Sequence, residues 1–368
     1  MNKWPIGMLA GVLFFAGGAL AQAGGEGAGL AGPTLEPEGG YRLAAGPCEV
    51  ATTDELVLHD AARSKDLRVK VRVPSPRVAD KGEAKYPMLV FSHGLGGSKD
   101  VFGELCDHLC SWGYVVVCPS HADSIQERRR AGEKVNRANA FDIKQMDAKG
   151  RLNRVLDCKF IVESIPTLEE KIPELKGKDG KGRIDTSKLA VAGHSAGAYT
   201  AQLLGGMKIA QVGVLRDQVL VEPRFKAVVV ISGGGVNKVG IKEAAWSEVK
   251  NPWLVITGSM DVASISSETP ETRQHPFKYA KGTEKGGQPA YLLFIEGATH
   301  SSYAGKETSG LFGEKPTTSI KVIQDCVASS VLAFLDGYVK GQKAGTEYLA
   351  KGDPIAKLSG GKAKLEKK

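Results

Sequence analysis

Between residues 67 and 295 the chain repeats one alternation, a short apolar run followed by a longer stretch of helical character, and few folds accommodate it. The runs at 88–92, 114–119, 189–193, 227–232, 253–257 and 291–295 are almost continuously apolar, as strands buried on both faces must be. The run at 67–73, LRVKVRV, alternates at period two and reads as a half-buried strand. Helices are expected at about 98–112, 142–165, 196–206 and 318–340. Strand and helix in repeated succession predict an α/β fold, a mainly parallel central sheet with right-handed crossovers that place helices on both faces. With 42% hydrophobic and 24% charged residues over 368 positions, wholesale disorder and fibrous repeats are excluded. One large domain over 47–340 is the expected organisation. Ligands in such sheets bind beyond the carboxyl ends of the strands, so the chemistry is expected in the segments that follow each run.

After 189–193 comes Gly193-His194-Ser195-Ala196-Gly197, then a good helix start. This is G-x-S-x-G at a strand-to-helix junction, where a sharp turn presents the serine hydroxyl above a helix N-terminus. Ser195 is the candidate nucleophile. After 88–92 comes His93-Gly94-Leu95-Gly96-Gly97. Acyl transfer needs two amide donors aimed at the developing oxyanion, and the backbone N–H groups of Leu95 and Ala196 are assigned to that task. A serine also needs a base and a carboxylate to orient it, which follow in the order Ser, acid, His. Asp261 follows the run at 253–257 and His300 follows that at 291–295, whereas His275 lies beside Pro276 in a segment with no strand signal. Asp261 and His300 complete the triad, with Glu296 the less favoured acid. His194 is expected to pack and hydrogen-bond. His93, Gly94, His121, Asp123 and Ser232 are candidates for the pocket, since each lies just past a strand. The loops 207–224 and 262–285 are expected to cover the site.

At these residues the chain resembles the α/β-hydrolase superfamily over roughly 50–340, because four motifs occur in order. Within it, the segment FSHGLGGSKDVFGELCDHLCSWGYVVVCPSHADS is similar to the platelet-activating-factor acetylhydrolase and dienelactone-hydrolase-like group. That resemblance implies ester hydrolysis of the acetylhydrolase or carboxylesterase kind on a small-molecule or lipid-like substrate, since dienelactone hydrolases use a cysteine where this chain has Ser195. It carries the oxyanion donors onto Leu95 and Ala196. Polyester hydrolases and cutinases are similar in architecture, but they usually carry an aromatic and a methionine where this chain has Leu95 and Ala196. A peptidase on the same fold commonly adds a propeller or cap, for which the sequence has no room. A non-catalytic surface-binding protein would not need a complete triad. No cofactor or metal is expected, as the sequence has no C-x-x-C and no Cys/His cluster.

The ends read differently from the middle. Lys3, an apolar run to Leu20 and small residues up to Ala21 or Ala23 describe a cleavable signal peptide over 1–21, so a secreted or periplasmic protein is expected. A flexible leader over 22–46 and a frayed basic tail over 341–368 follow from composition. No later run reaches the roughly 18 apolar residues of a membrane span. The formal net charge is +8, of which five units lie from Lys340 onward and one at Lys3. The catalytic region is therefore near neutral, which argues against a nucleic-acid partner. A mobile tail could make weak contact with an acidic envelope. The six cysteines leave disulfides and buried thiols open.

Overall fold

The computed structural model describes residues 39–76, 84–210, 213–237, 240–307 and 313–368. All fall in the unit Gly32–Lys368, and the signal over 1–21 lies outside them. Among the described residues the sheet has nine strands: β1 Cys48–Asp60, β2 Lys65–Pro76, β3 Tyr86–Ser92, β4 Val115–Ser120, β5 Ile184–His194, β6 Phe225–Ile231, β7 Trp253–Met260, β8 Ala290–Thr299 and β9 Ala363–Lys367. Their spatial order is β1-β2-β4-β3-β5-β6-β7-β8-β9. The six central strands from β4 to β8 pair in parallel, and antiparallel pairs close both edges. The helices are α1 Gly103–Ser111, α2 Ile125–Arg130, α3 Ala148–Glu163, α4 Ile165–Lys171, α5 Ala196–Leu204, α6 His275–Tyr279, α7 Ile320–Tyr338, α8 Lys343–Lys351 and α9 Asp353–Leu358. The large, mostly parallel sheet and its helices agree with the expected fold class.

Because strand side chains alternate between faces, the continuous apolar runs divide into two cores. Met88, Val90, Val191, Val228 and Val230 join Val155, Ile161 and Leu168 from α3 and α4 on one face. Leu89, Phe91, Ala192, Val229 and Ile256 join Leu105, Leu109, Val331 and Phe334 from α1 and α7 on the other. A run with only one apolar phase could fill only one of these cores.

Both expected loose ends are corrected where they are described. Tyr41 is wholly buried; its N–H donates to Ser329 Oγ at 3.0 Å and its hydroxyl to Asp336 at 3.0 Å, while Arg42 pairs with Asp336 at 2.6 Å. The end of the supposed leader is thus docked on α7. The segment after Lys340 forms α8, α9 and β9, and β9 pairs antiparallel with β8, Leu365 opposite Leu293. Its apolar residues are few, but Tyr348, Leu349, Ile355, Ala363 and Leu365 all reach the core. A charge count hides this, because Lys364 and Glu366 alternate with the inward residues at the strand period. Cys106, Cys110, Cys118, Cys158 and Cys326 are buried thiols. Among the described residues no helix is long and apolar enough to cross a membrane.

Candidate active site

Ser195 sits between β5 and α5 with φ 55° and ψ −115°, a region that a side-chain-bearing residue occupies only under constraint. The flanking glycines are required by contact. A Cβ on Gly197 would lie 1.9 Å from the Ser92 carbonyl oxygen, and one on Gly193 would lie 2.2 Å from that of Gly197. The turn therefore closes only with hydrogen at both positions. Ala196 is the first residue of α5, so its N–H has no acceptor within the helix.

The ends of β5, β7 and β8 bring the remaining groups together. His300 Nε2 lies 3.0 Å from Ser195 Oγ, and its Nδ1–H donates to Asp261 Oδ1 at 2.9 Å. Asp261 is wholly buried and heavily hydrogen-bonded. Ser232 donates to it at 2.7 Å, Thr257 at 2.9 Å and Tyr303 at 3.2 Å. Arg273, also buried, places Nε 3.0 Å from Asp261 Oδ1 and donates to the Asp261, Ser232 and Gly233 carbonyls. Burial pushes the Asp261 carboxyl upward, but Arg273 and His300 outweigh it and hold the group well below the usual carboxylate range. His300 is shifted below the ordinary imidazole value, chiefly by burial; Asp261 opposes that shift and Arg273 adds to it. It is thus neutral near pH 7, with Nδ1 protonated and Nε2 open to accept a proton.

Ser195 stands where two clefts meet. The larger, 520 Å³, is lined by the 94–98 turn, Phe102, Phe141, His194 and His300. The smaller, 300 Å³, is lined by Met146, Ala196, Tyr199, Ser232 and Glu268. Leu95, Ser195 and Ile265 border both.

Of the expected pocket residues, Gly94 and Ser232 face these clefts. His93, His121 and Asp123 do not. They are buried behind the 93–97 turn in a polar network with Arg154 and Asp157, because a strand end can turn its polar side chains inward as well as toward the cleft. A separate cavity of 340 Å³ is lined by Asp123, Arg154 and Asp157 and does not include Ser195. His194 hydrogen-bonds as expected, its Nε2–H donating to the His300 carbonyl at 2.8 Å, and it also borders the larger cleft. Within 262–285, Ala263, Ile265 and Glu268 line the site. In 207–224, Met207, Leu215 and Leu220 pack into the core instead. Sequence reasoning missed Arg273, Tyr303 and Arg154. No local pattern marks them, since each meets its partner only through the fold.

A serine at a strained strand-to-helix turn, facing a histidine and an aspartate from neighbouring strand ends of a parallel sheet, places the chain in the α/β-hydrolase class. Residues 48–336 match the family described as platelet-activating factor acetylhydrolase, isoform II, and the chain belongs to that family, as its resemblance implied. It is 22% identical over 279 residues to a protein of Cavia porcellus named platelet-activating factor acetylhydrolase, covering 69% of this chain and 58% of that one. A protein of the same name from Canis lupus familiaris is 23% identical over 287 residues, covering 69% and 57%. One from Gallus gallus is 29% identical over 153 residues, covering 33% and 36%. The chain thus spans less than two thirds of the length of these relatives.

Proposed function

We propose that this chain is an exported serine hydrolase that cleaves carboxylic esters of a small or lipid-like kind. The observation that carries the reading is the line from Ser195 Oγ through His300 to Asp261, with steps of 3.0 and 2.9 Å, at the junction of two clefts. Ser195 attacks the ester carbonyl while His300 Nε2 takes its proton. Asp261 holds the imidazole in the required tautomer and stabilises the imidazolium. The N–H groups of Leu95 and Ala196 receive the oxyanion. His300 then protonates the departing alcohol, and in the second half it activates water against the acyl-serine, returning the proton to Ser195. The two clefts offer separate room for the acyl and alcohol parts, and apolar walls such as Phe102, Phe141 and Met146 suit a lipid-like ester. The names of the relatives agree with this reading.

Ser195→Ala should lose at least about 10³-fold of the turnover of p-nitrophenyl acetate and butyrate, and all labelling by a fluorophosphonate probe. Retention of the wild-type rate would overturn the proposal. A chain-length panel of p-nitrophenyl esters, with a phospholipid and a polyester film beside it, ranks the substrates. Export is tested by N-terminal sequencing of protein recovered outside the cytoplasm, expected to begin at Gln22 or Gly24.

A further inference from the structure

Behind the 93–97 turn lies a buried arginine whose hydrogen bonds all converge on that turn and its supports. Arg154, on α3, is 1% exposed. One guanidinium nitrogen donates to the His93 carbonyl at 2.7 Å and another to the Gly94 carbonyl at 3.2 Å. Asp123 receives Nε at 2.8 Å and Nη2 at 2.6 Å, and it also accepts the Gly96 N–H at 3.2 Å. The Gly94 oxygen is held by two more donors. Gly97 N–H reaches it at 3.0 Å, and His93 Nδ1–H at 2.6 Å. The His93 tautomer follows from its other nitrogen, which accepts the His121 N–H at 3.0 Å.

The Gly94 carbonyl and the Leu95 N–H belong to one peptide unit. In a trans peptide these two groups point in opposite directions. Fastening the carbonyl inward therefore turns the N–H outward, toward the cleft that Leu95 and Ser195 line together. The unit is also close to the nucleophile, since a Cβ on Gly94 would lie 3.4 Å from Ser195 Cβ. We infer that Arg154 is a positioning residue for the oxyanion, aiming the Leu95 N–H through its grip on the Gly94 carbonyl. This rests on the serine-hydrolase reading above. A planar fork suits the task better than an ammonium, because it reaches two successive carbonyls and a carboxylate at once.

Arg154→Lys keeps the charge beside Asp123 but loses the fork. It should lower kcat by about 10- to 100-fold on p-nitrophenyl butyrate, somewhat less than deleting an oxyanion donor outright, with KM within about twofold. Affinity for a trifluoromethyl ketone, which forms a tetrahedral oxyanion on Ser195, should fall by a similar factor. Should Arg154→Lys fail to fold, the charge-balanced pair Arg154→Gln with Asp123→Asn carries the test with the same readouts. A folded variant with a lower Tm but unchanged kcat and ketone affinity would make Arg154 merely structural and overturn the inference, as would a loss confined to KM. Ser195→Ala is measured in parallel. If it is inactive while the Arg154 variants stay fully active, only the positioning role fails; if it stays active, the underlying reading fails.

Discussion

Arg273 puts a guanidinium against the carboxylate on which His300 depends, so the proposed base feels a positive charge through the group that orients it. The fold tolerates the arrangement because Arg273 also satisfies three backbone carbonyls, and a buried charge needs such partners. Arg273 lowers the affinity of His300 for a proton. Activity through neutral His300 should therefore decline only below about pH 6.5, the unperturbed imidazole value. Arg273→Gln removes a positive charge, raises the His300 pKa and should move the acid limb of kcat/KM to higher pH. A pH–rate profile whose acid limb stayed in place would contradict this account. Ser195, Asp261 and His300 were legible because each directly follows an apolar strand. Arg273 was not, because its contact with Asp261 depends on how the loop after β7 folds back.

The C-terminal elements show the opposite balance of pattern and composition. Residues after Lys340 read as a charged tail, yet Leu349 is 1% exposed and β9 completes the sheet edge. A few apolar residues at the right phase suffice when a prepared edge and helix surface await them. Leu349→Ala should cost about 2–5 kcal/mol, as other buried leucine truncations do, read as a lower urea midpoint. Deleting residues 341–368 should lower Tm and drive aggregation by uncovering β8, rather than leave a stable enzyme with altered surface binding. A deletion variant with unchanged Tm would restore the disposable tail. The internal parallel strands were legible from their continuous apolar runs. β1 was not, because its burial alternates irregularly around a register shift between Thr53 and Leu56.

Across the whole molecule, burial keeps many imidazoles neutral. His93, His108, His121, His194, His275 and His300 are all shifted below their ordinary value, with burial the largest cause in each; His194 is pushed down to about 3. In the unfolded chain they titrate near 6.5. Between that value and their native ones the unfolded state binds more protons, so stability rises with pH through this window and is complete above it. The carboxylates Asp123, Asp157 and Asp261 are shifted downward too. Their contribution is lost only as pH falls below about 3.9. Lowering the pH from about 7.5 to about 5 should thus reduce the urea midpoint with m unchanged, and unfolding should absorb protons. An unchanged midpoint would show that these histidines titrate alike in both states.

By itself the sequence determined the parallel sheet, its two covered faces and the strand ends from which Ser195, Asp261 and His300 project. Those features arise from periodicity and from turns a few residues long, where sterics act between near neighbours. Only the tertiary structure decided that His93, His121 and Asp123 turn inward, that Arg154 and Arg273 brace the site, and that the basic C-terminus belongs to the sheet. Each of these is a hydrogen bond, charge pair or packing contact whose partners meet only after the chain has folded back on itself. Such an interaction is strong in a dry interior, and it leaves no trace in the local pattern of either partner.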